Sequence, residues 1–180
     1  VFYSDLEYRD QLIGGFEIVV PGVFSLSFPP ADDRYTSESI AYFGDISYSI
    51  TDRLIIGVGG RHFEDKRTLQ GTSGFISKDT FDNFSAKGYV SFELTDDANI
   101  YASVSEGFRS GGFNNEAFIL DGGPSSYDPE SILSYEIGSK STLLNKKLTT
   151  DMALFYSEYT DLQTQDFDPV AAAFGFVNVG

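Results

Sequence analysis

A regular alternation of apolar and polar residues between Ser39 and Ile50 constrains this chain more than any other feature. Ile40, Tyr42, Gly44, Ile46, Tyr48 and Ile50 occupy the even positions, and Ser39, Ala41, Phe43, Asp45, Ser47 and Ser49 the odd ones. A period of two residues predicts a β-strand with one apolar and one mainly polar face. The segment is about twice as long as the roughly 5–6 residues typical of a strand in a soluble protein.

The same alternation returns in five further segments. Together the predicted strands lie near residues 39–50, 54–64, 84–94, 99–109, 132–141 and 148–159. Phe and Tyr make up 16% of the chain, and aromatic side chains fit the half-buried surface of a sheet. Helical periodicity is absent, so we predict an all-β chain of antiparallel hairpins.

Short and long connections alternate along the chain. Three short turns are rich in Asp, Asn, Thr and Lys, at 51–53, 95–98 and 144–147. Long polar stretches lie near residues 4–36, 65–83, 110–130 and 160–175. A transmembrane β-barrel has this asymmetry, because its periplasmic turns are short and its extracellular loops are long. We therefore interpret the long stretches as extracellular loops.

Charged residues inside the predicted strands follow the polar face. They are Asp45, Arg61, Lys87, Glu93, Glu136, Lys140 and Asp151. The apolar face carries charge only at the strand ends, at Glu64, Glu106 and Glu158. Charge is costly in contact with lipid, so a closed barrel with a polar lumen explains the pattern. A soluble β-sandwich gives the same alternation, but strand length and loop asymmetry favour the membrane barrel.

Composition excludes several classes of protein. The formal net charge of -15 argues against nucleic-acid binding, which needs clustered Lys and Arg. No apolar run approaches the roughly 18 residues of a membrane helix. With no cysteine and a single histidine, His62, neither a thiolate site nor a two-histidine metal site is available. We expect no catalytic residue, no metal and no cofactor.

An ordered set of motifs resembles the barrel of TonB-dependent receptors, the outer-membrane receptors for iron complexes. The motifs are Ser39–Gly44, Thr51–Leu54, Thr95–Ser103, Glu106–Asn114, Tyr127–Glu130, Ser134–Lys140 and Ala153–Gln163. The most specific motif residues are Gly107, Phe108, Arg109, Gly111, Gly112, Phe113, Asn114, Tyr135, Glu136, Gly138 and Lys140. Their order and spacing match the family across about residues 37–165.

The resemblance implies a partial transmembrane β-barrel in the outer membrane of a Gram-negative bacterium. Residues 1–180 would supply about six to seven antiparallel strands of a barrel with about 22 strands, and we expect the plug domain to be absent. The resemblance also implies energy-coupled uptake of a ferric siderophore or another scarce nutrient. The expected partners are outer-membrane lipid and, through the missing plug, the energy-coupling protein TonB, with no nucleic acid.

Ligand-binding residues are expected where strands meet the long loops. Arg109 is the candidate cation for an anionic ligand, and Asn114, Asn115 and Tyr127 follow it. Two alternatives stay open from the sequence. One is a passive porin-like or small adhesive barrel, which an upstream plug and coupling box would exclude. The other is a soluble carbohydrate-binding β-sandwich or a secreted hydrolase domain, which would need no detergent for extraction.

Overall fold

The computed structural model describes residues 1–12, 16–20, 24–28, 31–170 and 173–180. Its elements in chain order are β1 (Phe2–Leu12), β2 (Phe16–Val20), β3 (Phe24–Phe28), β4 (Ala31–Ser49), β5 (Leu54–Gln70), β6 (Ile76–Thr95), β7 (Ala98–Arg109), β8 (Gly112–Phe113), α1 (Glu116–Leu120), β9 (Ser126–Tyr127), β10 (Glu130–Leu143), β11 (Leu148–Thr160), β12 (Leu162–Asp168) and β13 (Ala173–Val179). The one helix among these residues, α1, is far too short to span a membrane.

One antiparallel sheet of seven strands organises the described chain, in the order β1-β4-β5-β6-β7-β10-β11. Five of the six strands expected from the alternation lie inside a strand of this sheet, the expected strand 39–50 ends one residue beyond β4, and β1 adds the seventh. Short ribbons pair β2 with β3, β8 with β9, and β12 with β13. The predicted all-β, antiparallel and partial fold is confirmed, because β1 and β11 lie at opposite edges and the sheet does not close.

Because of the strand register, apolar residues of neighbouring strands lie side by side on one face of the sheet and polar residues on the other. One row of directly paired residues runs through Ile46, Val58, Gly88, Val104, Tyr135 and Tyr156. The next row toward the short turns runs through Tyr48, Ile56, Val90, Ala102, Ile137 and Leu154. We call this surface the apolar face, and it is exposed: Ile46 by 73% and Leu154 by 77%.

The opposite surface, the polar face, carries all seven charged residues expected there. Asp45 lies beside Gly59, which lies beside Lys87, and Lys140 pairs with both Asn99 and Asp151. The Lys87 Nζ lies 2.7 Å from the Asp45 Oδ1. Because both side chains are more than half exposed, this ion pair contributes little stability by itself.

Two of the predicted long loops are largely strand. The stretch near 4–36 contains most of β1 and the start of β4, and the rest of it includes residues outside the described ones. The stretch near 65–83 is strand except for a tip at residues 71–75. Exposed ion pairs link β1 to β4 in the first of these stretches, where Arg34 pairs with Glu7 at 2.7 Å and Arg9 pairs with Asp32. Polar residues lie on both faces there, so the alternation that marks a half-apolar strand is missing.

The other two predicted loops contain short elements. Residues 110–130 include β8, β9 and α1. The helix α1 is a single turn, and the sequence shows no helical periodicity that would predict it. The Asn115 side chain caps α1 by accepting a hydrogen bond of 2.9 Å from the backbone N–H of Phe118. Residues 160–175 contain β12 and the start of β13, with 171 and 172 outside the described residues. A polar composition alone does not predict a capped helical turn or short paired strands, so these elements were not expected.

A tyrosine covers the motif glycine Gly138 on the polar face. An added Cβ at Gly138 would lie 2.6 Å from the Tyr101 ring and 2.7 Å from the backbone oxygen of Met152. The ring is not free to swing away, because its hydroxyl donates a hydrogen bond of 2.6 Å to Glu136. Gly138 therefore provides the space into which Tyr101 packs.

We expect Gly138→Val to destabilise the barrel by about 1–3 kcal/mol, the usual effect of overpacking. Gly44→Val is the matched control, because nothing lies within 4 Å of a Cβ at that strand glycine. The loss should appear as a lower temperature for the heat-induced mobility shift of the full-length protein in detergent. Equal shifts for the two variants would show that the Tyr101 contact does not matter.

Candidate ligand-binding site

The best-packed part of the described chain lies at the end of the main sheet away from the short turns. Its buried apolar side chains are Ala41, Leu69, Phe81, Phe118 and Ala173. Its buried polar side chains are Asp33, Ser39, Asp65, Asn114, Glu116 and Gln163. Buried polar groups need hydrogen-bond partners, so their contacts show how this end is assembled.

Two buried carboxylates join three separate connections. Asp33 accepts hydrogen bonds of 3.0 Å from both the backbone N–H and the hydroxyl of Thr72, and one of 3.2 Å from the backbone N–H of Glu116. Glu116 in turn accepts from the backbone N–H of Ser73 at 2.8 Å and from its hydroxyl. The start of β4, the β5–β6 tip and α1 are thereby fixed to one another.

Asparagine side chains attach β13 to the segment between β7 and β10. Asn114 donates to the backbone oxygens of Pro124 and Phe176 and accepts from the Phe176 N–H at 2.6 Å. Asn115 donates to the backbone oxygen of Phe174 at 2.6 Å. With these contacts satisfied, both amides have an evident structural role.

Gln163 joins three chain segments through one buried amide. Its Nε2 donates to the backbone oxygens of Ser110 at 3.1 Å and Asp128 at 3.0 Å, with a longer contact to Arg109. Its backbone N–H donates to the Glu130 carboxylate at 2.9 Å. These bonds hold β12 against the ends of β7 and β10.

We expect Gln163→Ala to loosen β12, because losing a buried amide leaves carbonyl acceptors unpaired and costs about 1–3 kcal/mol. Gln165→Ala is the matched control, since Gln165 is exposed and lies two residues along the same strand. Limited proteolysis of the full-length protein should cut faster near residues 162–179 in the first variant only. Unchanged cleavage in Gln163→Ala would contradict the tethering role.

The packed connections enclose an aromatic cleft of about 400 Å³ against the polar side of β4 and β5. Its walls include Tyr35, Arg67, Phe113, Tyr127, Phe174 and Phe176. The Tyr127 and Phe176 ring centroids lie 5.2 Å apart at an interplanar angle of 42°. Planar ring faces beside a guanidinium suit a compact ligand that carries both rings and negative charge.

Arg67 is held in the cleft by a buried carboxylate. Its Nε donates to the Asp65 Oδ2 at 2.6 Å, and Asp65 also accepts from the Ser37 hydroxyl at 2.6 Å. The Arg67 side chain is 29% exposed, whereas that of Asp65 is 2% exposed. A guanidinium has five N–H donors, so one bond to Asp65 leaves most of them for an anion.

The four residues predicted to bind ligand are only partly brought together. Asn114, Asn115 and Tyr127 line the cleft. Arg109 lies beside it, with its guanidinium carbon 5.7 Å from the Phe176 ring centroid. Sequence reasoning missed Arg67, although extending the odd positions of β5 beyond Arg61 would have placed it on the polar face. Ligand contact by the four predicted residues stays a prediction.

Two motif glycines, Gly111 and Gly112, allow β8 and β9 to pack closely beside the cleft. An added Cβ at Gly111 would lie 2.4 Å from the Tyr127 backbone oxygen, and one at Gly112 would lie 2.5 Å from the Tyr127 hydroxyl. Side chains at these positions would push β9 away from β8. The glycines therefore act by close approach, and an added Cβ at Gly112 would also lie 2.9 Å from the Arg67 Nη1.

Two acidic residues at this end, Asp121 and Asp168, approach one another. Desolvation raises the pKa of Asp121, and a hydrogen bond with Asp168 and repulsion from it raise this pKa further. Such a contact is favoured at low pH and is lost as the pH rises through the raised pKa. Among the described residues, no three His, Cys, Asp or Glu side chains are grouped to hold a metal ion.

Comparison with known families gives a match along the whole chain. Residues 1–180 match the family described as TonB dependent receptor-like, beta-barrel. The pesticin receptor of Yersinia pestis is 30% identical over 139 residues, which cover 71% of this chain and 20% of that protein. The ferric-pyoverdine BN7/BN8 receptor of Pseudomonas putida is 29% identical over 131 residues, covering 70% of this chain and 16% of that protein.

Solved structures show the same architecture. The ferric yersiniabactin uptake receptor FyuA from Yersinia pestis superposes with a TM-score of 0.64 at 25% identity, over 77% of this chain and 24% of that one. The alcaligin outer-membrane receptor FauA from Bordetella pertussis shares the fold, with a TM-score of 0.55 at 18% identity over 98% of this chain and 32% of that one. The chain spans about a fifth of the length of the first of these relatives.

Proposed function

Because the chain belongs to the TonB-dependent receptor-like β-barrel family of the Gram-negative outer membrane, we propose that it forms part of a receptor for energy-coupled uptake of a ferric siderophore. Relatives that include pesticin and ferric-pyoverdine receptors support this class of function. The observation that carries the proposal is the aromatic cleft with Arg67 at the end of a wall whose other surface is an exposed apolar belt.

The two faces of the sheet match a barrel wall. The apolar face would lie against lipid, since its Ile46 and Leu154 rows have no described layer packed over them. The polar face would line the lumen, where charges remain hydrated. In this orientation the short turns are periplasmic, and the cleft opens toward the outside of the cell.

The cleft would bind the ligand before transport. Tyr127 and Phe176 offer ring surface, and Arg67, oriented by Asp65, offers N–H donors to negatively charged oxygens. Asn114 and Asn115 would hold the cleft in shape from its rim. Binding and gated passage require no covalent chemistry, and energy would come from TonB acting through the plug.

Two alternatives are less well supported. A passive porin-like or adhesive barrel would not need a built aromatic cleft, and the family relationship favours energy coupling. A soluble carbohydrate-binding sandwich or hydrolase domain would bury its apolar face under a second sheet. Here the described sheet leaves that face open.

The proposal is tested with the full-length receptor in cells that lack their own siderophore receptors. Radio-iron-labelled ferric yersiniabactin, ferric pyoverdine, a ferric tris-catecholate and a ferric tris-hydroxamate are supplied with and without TonB. We expect TonB-dependent uptake of at least one complex. Uptake of none of them, with normal receptor in the membrane, would contradict the function.

The role of the cleft is tested by the double variant Asp65→Asn/Arg67→Gln, which removes both charges and so leaves no buried carboxylate unpaired. Binding should weaken about tenfold, as expected for the loss of one charge-assisted hydrogen bond. Lys66→Gln is the control, because Lys66 lies on the other side of β5 and is 64% exposed. Equal affinities in the double variant and the wild type would place ligand binding elsewhere.

A further inference from the structure

The main sheet divides between β6 and β7 on the side away from the short turns. Direct pairing of these two strands stops at Lys87 and Ser105. Beyond that point β6 continues to Ile76, paired with β5, whereas β7 continues to Arg109, paired with β10. The β7 side of residues 76–86 is therefore an open strand edge. Among the described residues, it makes no backbone–backbone hydrogen bond to another segment.

Side chains occupy two N–H groups of this open edge. The Ala86 N–H donates a hydrogen bond of 3.0 Å to the Glu106 carboxylate, so the even-numbered residues of β6 direct their backbone groups toward β7. The Thr80 N–H donates to the Asp79 Oδ1 at 2.7 Å. If the ladder continued, Ala86 would face Glu106 and its N–H would bond to the Glu106 backbone oxygen. The Glu106 side chain thus takes the place of its own main chain.

The end of β7 and the residue after it are turned over relative to the rest of the strand. Counting on from Val104, the alternation would place Phe108 and Ser110 on the apolar face. Phe108 instead lies 5.1 Å from Phe63 between ring centroids, and the Ser110 hydroxyl donates to the Asp65 Oδ2 at 3.3 Å. Both partners belong to the polar face of β5. The chain therefore rotates about its own axis as it leaves β6.

The open edge fits residues 106–113 in the register that β6 and β7 already use. The backbone-bonded pairs would be Glu106 with Ala86, Phe108 with Phe84, Ser110 with Asp82, and Gly112 with Thr80. On the other face the bulky Phe81 would stand opposite Gly111, which has no side chain to collide with it. Neither 76–86 nor 106–113 contains proline, so every N–H that this pairing needs is available.

We propose that residues 106–113 alternate between two positions: the one described, in which they help to form the cleft, and a second, in which they continue β7 along the open edge of β6. In the second position Phe113 stands opposite Asp79 and leaves the cleft that it now lines. Asn114 is then drawn away from Phe176, and the cleft is dismantled. A bound ligand would be released by this step. The release rests on the proposed function, whereas the second pairing is a property of the sheet.

The variant Asp82→Cys/Ser110→Cys detects the second position through a disulfide. In the structure the two side chains lie on opposite faces of the sheet, since Ser110 contacts Asp65 and Asp82 lies on the apolar side of β6. In the continued ladder their Cα atoms would lie about 5.5 Å apart, which suits a disulfide. The chain contributes no cysteine of its own. Lys78→Cys/Ser110→Cys is the matched control, because Lys78 shares the face of Asp82 but lies roughly 13 Å further along β6.

Full-length receptor in outer-membrane vesicles is oxidised without ligand, and mass spectrometry of its peptides follows the disulfide. We expect it to form about tenfold faster in the first pair than in the control pair. The four ferric complexes named above are then tested for binding, and those that bind are added at about ten times their dissociation constants. Because ligand binds only the formed cleft, the first pair should then react about tenfold more slowly.

A proline on the open edge tests whether transport uses the second position. Asp82→Pro removes an N–H that faces β7, so the pairing of β6 with β5 keeps its hydrogen bonds. Binding of the ferric complex should be unchanged, while TonB-dependent uptake should fall about five- to tenfold through the loss of one ladder hydrogen bond. Asp82→Ala keeps the N–H and is the control for loss of the carboxylate.

The outcomes separate this inference from the proposed function. Equal disulfide rates in the two cysteine pairs would reject the second pairing and leave the proposed function intact. A faster first pair whose rate no bound complex changes would show that the pairing does not dismantle the cleft. Equal uptake by Asp82→Pro and Asp82→Ala would remove it from transport. If the receptor neither binds nor takes up any ferric complex, the proposed function fails, while the rates without ligand still decide the second pairing.

Discussion

Ile46→Arg should sharply reduce the amount of full-length protein that assembles in the outer membrane. Ile46 is 73% exposed and lies in a row of apolar side chains that continues through Val58 and Val104. An arginine at the lipid midplane of a barrel costs about 2–4 kcal/mol. That cost is a large fraction of the stability of a typical domain, so most of the protein should fail to assemble.

The control for this substitution is the next residue along β4. Ser47 lies on the polar face, paired with Gly57, and an arginine there can reach water. Ser47→Arg should therefore assemble nearly as well as the wild type. Both variants are measured as heat-modifiable protein in outer-membrane fractions. If Ser47→Arg is the more damaging of the two, the assignment of the two faces is wrong.

Residues 1–180 expressed alone should not form a transporter. The main sheet leaves the outer edges of β1 and β11 without a strand partner among the described residues. In hydrocarbon each unsatisfied backbone group costs several kcal/mol, so an open wall is unstable there. The isolated chain should aggregate or assemble as an oligomer, and it should carry no ferric complex into liposomes.

Closing the seven strands on themselves would not solve this problem. An eight-stranded barrel is already filled by its side chains, and the polar face here bears Tyr89, Tyr101 and Phe155 as well as its charges. Light scattering and heat-modified mobility in detergent decide the question. A monodisperse, heat-modifiable monomer of residues 1–180 would show a small closed barrel and would contradict the transporter reading.

The strands that cross the apolar belt could be predicted from the sequence. Between Ile40 and Ile50, and again between Leu148 and Tyr156, lipid-facing and lumen-facing environments demand opposite side chains at successive positions. The same alternation placed the seven charges inside the predicted strands, from Asp45 to Asp151, on the polar face. These predictions depend on neighbours in the chain, which is why they needed no tertiary information.

The strand extensions beyond the belt could not be predicted in this way. Residues 65–70 and 76–83 continue β5 and β6, although both sides of these segments carry polar residues. One face meets water, and on the other the packed connections bury the polar Asp65 together with Leu69 and Phe81, so polar and apolar residues do not alternate. The sequence therefore predicts loops where the structure has strands.

The cleft is mainly a product of tertiary structure. Asn114 reaches Phe176, 62 positions away, and Gln163 reaches Ser110, 53 positions away. No local pattern encodes such distances. The position of the motif predicted Asn114, Asn115 and Tyr127 as site residues. It did not indicate that the side chains of Asn114 and Asn115 bind β13, or that Arg67 lines the same cleft.

What the sequence alone determined is the type of wall: antiparallel strands with an apolar face and a charged polar face, joined alternately by short turns and long connections. It could do so because each of these properties is set by residues one or two positions apart. What only the tertiary structure decided is where the long connections pack. Asp33, Glu116 and Gln163 are buried by partners remote in sequence, and those contacts assemble Arg67, Tyr127 and Phe176 into one cleft.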